Sequence, residues 1–435
     1  MADETTVSFD DLLYDMRGPL TTNFPKDWLN LAELNGVANE RRINKMDRDG
    51  FPTRDFDRFS GKQVRVPLLL APLQGTGGIS ETGAWNPPHN QDDNQANITM
   101  ARVGNAISVT PDLEYSSMSN SAAEAVALQV QQARIGMARV ENEMYCGLGD
   151  GQLGETTAAT TGTLVVTLTA ASFNAYQLYP GRIVDILVRA TGANAGSGLK
   201  RKIASIDETA STVTFETAAT TGGDAGVIAS SVNDGIYIEG TYGTANGYAS
   251  GTGGAIQGIG QAALATGTFE GIDKAAVQGW QGVDGRAGSV VAIDPTISTL
   301  DGGVRALRAS GIDRWDYAYG SPGVVDKYQE AQYTNVRWGP VPTLTLDTGF
   351  TGIDYRGRPL LAEDDCDPLS TIYGVNKEYI QPYSYFPGPD WLDDDGALWR
   401  RYQRGLPREA VLLDFVQLGF TRCNTIVRIG NLNSA

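Results

Sequence analysis

The 435-residue chain contains one histidine, His89, and three cysteines, Cys146, Cys366 and Cys423. That scarcity removes much of side-chain catalysis from consideration. Zinc sites built from several His or Cys are excluded by count. A Ser-His-Asp site would have to use His89 as its base. His89 sits in Pro87-Pro88-His89-Asn90, within a Gly- and Pro-rich stretch that offers little to preorganise a catalytic group. A solvated or interface histidine is the preferred reading. The cysteines are odd in number and far apart, so they form neither a disulfide framework nor a metal motif. They read as free thiols, and a reducing compartment is expected during folding. Long apolar runs are missing too: none reaches the roughly 18 residues of a membrane-crossing helix. Met1-Ala2-Asp3-Glu4 does not resemble a signal peptide. The expected site of synthesis is therefore the cytoplasm, with no membrane partner.

Positive charge is also in short supply. Lys and Arg total 34 against 51 Asp and Glu, a net charge of −17. This argues against a protein that coats nucleic acid through phosphate contacts. It is compatible with a soluble shell that repels a nucleic-acid cargo, or simply with solubility. The only basic cluster along the sequence is Arg41, Arg42, Lys45 and Arg48. No internal repeat is evident.

What the chain does have is three unlike segments in a row. Val64–Leu73 and Ile98–Thr110 read as strands, joined by a polar loop rich in Gly and Asn. Pro67 and Pro72 suit an edge strand. An isolated hairpin is marginal in water, so a neighbour is needed to order it. Next comes an amphipathic helix from Ser121 to about Cys146. Ser121-Ala122-Ala123-Glu124 matches a capping box. Val126, Val130, Ala133, Met137, Val140 and Met144 recur at spacings of 4, 3, 4, 3 and 4 on one face. Gly147 is a natural stop.

Residues 1–60 read as an arm, broken repeatedly by Pro19, Pro25 and Pro52. Residues 151–243 read as an inserted all-β module, a small barrel or sandwich. Its strands are expected at Leu164–Leu168, Ile183–Val188, Arg201–Ile206, Thr212–Glu216 and Gly235–Ile238. From 290 onward helix and strand alternate. Helices are expected from Pro295 to about Ser310 and from Ser321-Pro322. Strands are expected at Thr343–Leu346, Pro359–Ala362 and Ile372–Val375. Val411–Leu418 and Thr425–Ile429 are expected to form an antiparallel pair.

Other motifs have bland readings that outweigh the chemical ones. Gly258-Ile259-Gly260-Gln261-Ala262-Ala263 matches a dinucleotide-binding pattern, but no buried strand precedes it. A structural glycine turn is preferred. Asp364-Asp365-Cys366-Asp367 and Asp393-Asp394-Asp395 lack calcium-loop spacing and read as solvated carboxylates. An inter-subunit cation site is the lesser reading. No cofactor is expected. Charged pairing between subunits is the preferred role for the basic run, with Trp85 and His89 of the loop tip as further interface candidates.

In its order of parts the chain resembles the major capsid proteins of tailed double-stranded DNA phages, the Hong Kong 97-type fold. The resemblance rests on arm, extended loop and spine helix ending in Glu141-Asn142-Glu143-Met144-Tyr145-Cys146-Gly147. It continues through Gly258-Ile259-Gly260, Gly271-Ile272-Asp273-Lys274 and Trp280 to an α/β region and C-terminal strands. It implies an α+β fold divided as N-terminal arm 1–60, extended β-hairpin loop 61–112, spine 113–150, inserted β module 151–243, return 244–290, axial domain 291–375 and C-terminal peripheral strands 376–435. It also implies no enzyme activity. The expected partners are copies of the chain in hexamers and pentamers, scaffold, portal and decoration proteins, and packaged DNA enclosed without sequence-specific binding. The location implied is the virion, after assembly in the host cytoplasm. Residues 1–60 run straight into the loop, which leaves a separate scaffold or prior trimming open. Some relatives crosslink a loop Lys to a neighbour's Asn. Here Lys62 lies at the base of the loop and its tip has none, so non-covalent stabilisation is expected. Two rival readings remain: another virion component such as a tail or decoration protein, and a carbohydrate-active enzyme with an added β module.

Overall fold

The computed structural model describes residues 57–58, 63–71, 92–109, 121–217, 223–225, 227–286, 291–335, 343–345, 351–366, 369–385, 390–392, 400–401 and 408–433. The spine is helix α1, Ser121–Cys146, 26 residues. At about 1.5 Å per residue it spans roughly 39 Å. Its sequence is rich in Ala, Gln, Arg, Glu and Met, which lose little rotamer freedom in a helix. Ala133, Met137 and Met144 are buried, and Val130 and Val140 are half-buried, as the apolar spacing requires. The capping-box side chains lie outside the described ones. Over its last six residues, Glu141 to Cys146, every side chain is buried, so the C-terminal end of α1 enters the body of the protein.

A sheet built on the 13-residue strand Arg408–Phe420 forms the trunk. Ala410, Leu412, Asp414 and Val416 are buried at period two, so one face is inward. Ala101–Val109 pairs antiparallel along it, from Val416↔Ala101 to Arg408↔Val109. Ile380–Ser384 pairs antiparallel at its C-terminal end, and Asp57–Arg58 adds a parallel strand beyond.

Two strand pairings differ from those expected. Ile98–Thr110 is not one strand of a hairpin. Gln63–Ala71 pairs antiparallel with Asp92–Thr99, and the chain then breaks at Met100 before Ala101–Val109 joins the trunk. The cause is a one-residue slip in burial parity. Ala96 and Ile98 are buried, then Ala101, Val103 and Ile107, so the second run faces a different partner. Likewise Val411–Leu418 and Thr425–Ile429 are not a pair. The 3-10 turn Cys423–Thr425 redirects the chain, and Val427–Ile429 crosses into the seven-stranded sheet of the α/β region.

That second sheet runs Val283–Asp284, Val427–Ile429, Ile372–Val375, Tyr317–Gly320, Arg358–Ala362, Thr351–Tyr355, Thr343–Thr345. The short helix α2, Ile259–Ala262, lies in the stretch leading to it. Helices α3, Ile297–Ala309, and α4, Pro322–Asn335, pack on it. Thr296 caps α3: its side chain accepts from the Thr299 N–H at 3.3 Å, and Thr299 answers with its own hydroxyl at 3.4 Å. Leu300, Leu307, Trp315, Val324, Tyr328, Leu360, Val427 and Ile429 form the core between them. Because Val427 and Ile429 fill this core, the C-terminal strand belongs here and not with the trunk.

The inserted module is a six-stranded antiparallel sheet in the order Gln152–Glu155, Gly235–Ile238, Ile183–Leu187, Arg201–Asp207, Thr212–Phe215, Val165–Thr167. Its ends meet. The Thr157 N–H bonds the Thr167 carbonyl at 3.1 Å, the Thr169 N–H bonds the Glu155 carbonyl at 2.8 Å, and Thr156 bridges Leu168. The sheet is therefore a closed barrel with no free edge along these strands. Leu153, Val166, Leu168, Val184, Ile186, Ile203, Val213, Phe215 and Ile236 are among its buried apolar residues.

Candidate functional site: arm ribbon and three-way junction

The ribbon Gln63–Ala71 with Asp92–Thr99 runs in register from Gln63↔Thr99 to Leu69↔Asp93, with a bulge before Ala71↔Asp92. Nine residues extend it about 30 Å. Its base is not free of the body. Val64, Val66, Ala96 and Ile98 are buried in the main core, and the Asn97 N–H bonds the Glu270 carbonyl at 2.8 Å. The opposite face carries exposed Gln63 and Arg65. The ribbon borrows the trunk's core at its root. Among the described residues no third strand joins its ladder. Its outer edge thus offers backbone N–H and C=O groups to whatever lies alongside.

Behind the ribbon root, Lys274 is buried and donates from Nζ to the carbonyls of Gln261, Ala262 and Leu264 at 2.8, 2.6 and 2.8 Å. It closes the C-terminal end of α2. Burial lowers its ammonium to about 8. The same burial pushes Glu270 well above the usual carboxylate range and raises the Cys423 thiol. All three cysteines are buried and none is in a disulfide. The Gly258-Ile259-Gly260 motif also finds its physical purpose here. A Cβ on Gly258 would stand 2.5 Å from the carbonyl oxygens of Met144 and Gly147, and one on Gly260 would stand 2.8 Å from that of Gly147. Both glycines let α2 abut the end of the spine. The turn is structural.

The spine also ends in a charged junction where three parts meet. Glu143 of α1 and Arg182 of the barrel form a buried two-pronged ion pair at 2.8 and 2.5 Å. Arg182 also donates to the Gln177 carbonyl at 2.6 Å. Burial alone would lower Arg182, yet Glu143 holds it raised. Beside them, Asn142 of α1 donates from Nδ2 to Glu363 Oε1 at 3.1 Å and to Asp365 Oδ2. Asn174 of the barrel region donates to the Asp364 carbonyl at 2.6 Å. Arg139 donates to the Tyr176 carbonyl and stacks over the Tyr179 ring at 4.3 Å. Burial pushes Asp365 up to about 7, with the Glu143 charge adding to it. Burial, then the Asp365 charge, pushes Glu363 well above the carboxylate range. The junction clamps barrel, spine and α/β region together.

This corrects one sequence reading. Asp365 is no solvated loop carboxylate; it is 2% exposed, and Glu363 beside it is fully buried. Asp367 and Asp393-Asp394-Asp395 lie outside the described residues, as do Trp85, His89, Arg41, Arg42, Lys45 and Arg48. Among the described residues no group of three His, Cys, Asp or Glu is placed to hold a metal ion, and no helix is long and apolar enough to cross a membrane.

No protein-family model matches the chain, and no curated protein matches it in sequence. Solved structures do match. The Cyanophage A-1(L) capsid asymmetric unit superposes over 88% of this chain and 92% of its own, at 14% identity and a TM-score of 0.52. This chain has the Hong Kong 97-type capsid fold. The SrpI encapsulin of Synechococcus elongatus PCC 7942 aligns over 88% of this chain and 86% of its own, at 12% identity and a TM-score of 0.41. The capsid of a native GTA particle aligns over 88% and 89%, at 10% identity and 0.42. In terms of the Hong Kong 97-type fold, the ribbon is the extended loop, α1 is the spine, and the seven-stranded sheet is the core of the axial region. The barrel is inserted directly after the spine.

Proposed function

We propose that the chain is the main shell subunit of a tailed virus, assembling as hexamers and pentamers into an icosahedral shell around double-stranded DNA. The observation that carries the reading is the ribbon. It is rooted in the trunk's core, yet its two-stranded ladder has an outer edge with no partner in its own chain among the described residues. A capsid fold with such an arm finds its missing contacts on sister subunits, and closed symmetry dictates which surfaces are complementary. Its role is mechanical, with no reaction catalysed. Charged surfaces between copies, including Arg41, Arg42, Lys45 and Arg48, steer assembly, and Trp85 and His89 of the loop tip dock on a neighbour. Scaffold, portal and decoration proteins are the further partners. Assembly takes place in the host cytoplasm, and the DNA is enclosed without sequence reading.

The test is electron microscopy of the purified protein, intact and with residues 72–91 replaced by a short Gly-Ser linker. Hollow closed shells from the intact chain, and folded subunits without shells from the shortened one, are expected. Tubes would favour a tail component, and compact monomers alone would end the reading.

A further inference from the structure

A second basic cluster exists that no stretch of sequence reveals. Arg308 of α3, Arg314 of the following loop, and Arg356 and Arg358 of one hairpin converge on a cleft of about 50 Å³. One water needs roughly 10–15 Å³ of such space, so a small anion fits. Its floor is apolar. The buried Trp315 and Tyr355 rings stack there, centroids 5.5 Å apart. The hairpin joins Thr351–Tyr355 to Arg358–Ala362 by two residues, Arg356 at φ 52° and Gly357 at φ 80°. This is the primed turn that matches strand twist. It is an uncommon conformation for arginine, and here it sets Arg356 beside the cleft.

Three carboxylates face these four guanidinium groups. Arg308 and Arg314 share Asp313, at 3.0 and 3.7 Å. Arg356 meets Asp301 at 2.7 Å, and that carboxylate also accepts the Tyr355 hydroxyl. Arg358 meets Asp316 at 3.4 Å, and Asp316 also accepts the Lys377 N–H at 3.2 Å. The cluster therefore keeps a net positive charge in a chain of net charge −17. Its arginine side chains are between 37% and 63% exposed. Ion pairs this exposed contribute little and exchange readily. Planar five-donor forks match the oxygens of a phosphate better than an ammonium does.

We propose that this cleft binds a phosphate-type oxyanion, held by Arg314 and Arg356 over the Trp315–Tyr355 floor. Inorganic phosphate, a nucleotide and the backbone of a nucleic acid present the same chemistry, and the experiment separates them.

The test is calorimetric titration of the unassembled full-length chain at low ionic strength. Inorganic phosphate is the probe, with chloride at matched ionic strength as the blank. Saturable binding at one site per chain is expected. Arg314→Gln and Arg356→Gln, each checked for an unchanged unfolding midpoint, are expected to weaken it by roughly tenfold, about 1.4 kcal/mol. Lys202→Gln removes the same charge from the barrel, where Lys202 pairs with Glu216 at 2.8 Å, and leaves binding unchanged. A second titration uses a short single-stranded oligonucleotide. Binding with the same arginine dependence, displaced by phosphate, assigns the site to a nucleic-acid backbone. Phosphate binding without oligonucleotide binding assigns it to free phosphate or a nucleotide. No saturable phosphate binding, full affinity in both arginine variants, or an equal loss in Lys202→Gln would overturn the proposal.

Discussion

The barrel and the ribbon are both antiparallel β structure, yet they solve opposite problems. The barrel closes on itself through the Thr157–Thr167 and Glu155–Thr169 bonds and buries its own apolar residues. The ribbon has two strands, a root in another element's core and, among the described residues, a ladder edge with no third strand. A closed sheet is satisfied alone, whereas an open one is complete only with company. One chain uses the first where an insertion must not disturb its neighbours. In the proposed shell it uses the second to reach them.

The largest expected effect is at the clamp that joins the barrel to the rest. Arg182→Met leaves buried Glu143 with only the longer Arg139 contact at 3.5 Å, and should lose about 2–4 kcal/mol in urea unfolding of the subunit. Glu143→Leu combined with Arg182→Met should recover most of that loss, since replacing a buried ion pair by apolar groups is often neutral. If the single and double variants unfold alike, the ion pair is not what couples barrel to spine.

Core truncations sharpen the contrast. Ile186→Ala inside the barrel should cost about 2–4 kcal/mol and leave shell morphology unchanged in whatever folds. Val66→Ala at the ribbon root should cost about 1–3 kcal/mol and also lower shell yield, read by sedimentation, because it loosens the root of the arm.

A smaller effect concerns pH. Asp365 has its carboxyl raised to about 7 in the folded chain, above the 3.8 of an ordinary aspartate. Its contribution to stability is therefore fully present below about pH 4 and lost as pH rises through about 7. Asp365→Asn should flatten that fall and gain on the order of 1–2 kcal/mol at pH 8. Equal pH profiles for the two proteins in thermal melts would contradict this. The smallest effect on the subunit is at exposed Arg65. Arg65→Glu should move its stability by less than about 0.5 kcal/mol and still reduce shell yield.

Elements whose signal is local were legible in the sequence. The spine's 4-3-4 spacing marked Ala133, Met137 and Met144 as buried, and Gly235–Ile238 and Ile372–Val375 were placed to the residue. Pairing was less legible, because it is decided far away. The partner of Ala101–Val109 lies three hundred residues downstream, and only the parity slip at Met100 hinted that the strand turns to it. The junction was invisible for the same reason. Asn142 and Glu363 are 221 residues apart, and an aspartate-rich loop looks like solvent until a helix end covers it. A search for acidic residues flanked by apolar ones, as in Leu360-Leu361-Ala362-Glu363, could have flagged Glu363. The arginine cleft gathers residues from three elements and leaves no linear trace beyond Arg356-Gly357-Arg358.

Everything functional turns on whether the ribbon is completed from outside the chain. Hydrogen–deuterium exchange of the same protein, unassembled and assembled, asks this directly. The account predicts that amides of 63–71 and 92–99 slow markedly on assembly while those of the barrel strands stay as they were. Equal ribbon exchange in both states, or protection gained equally by the barrel, would contradict it.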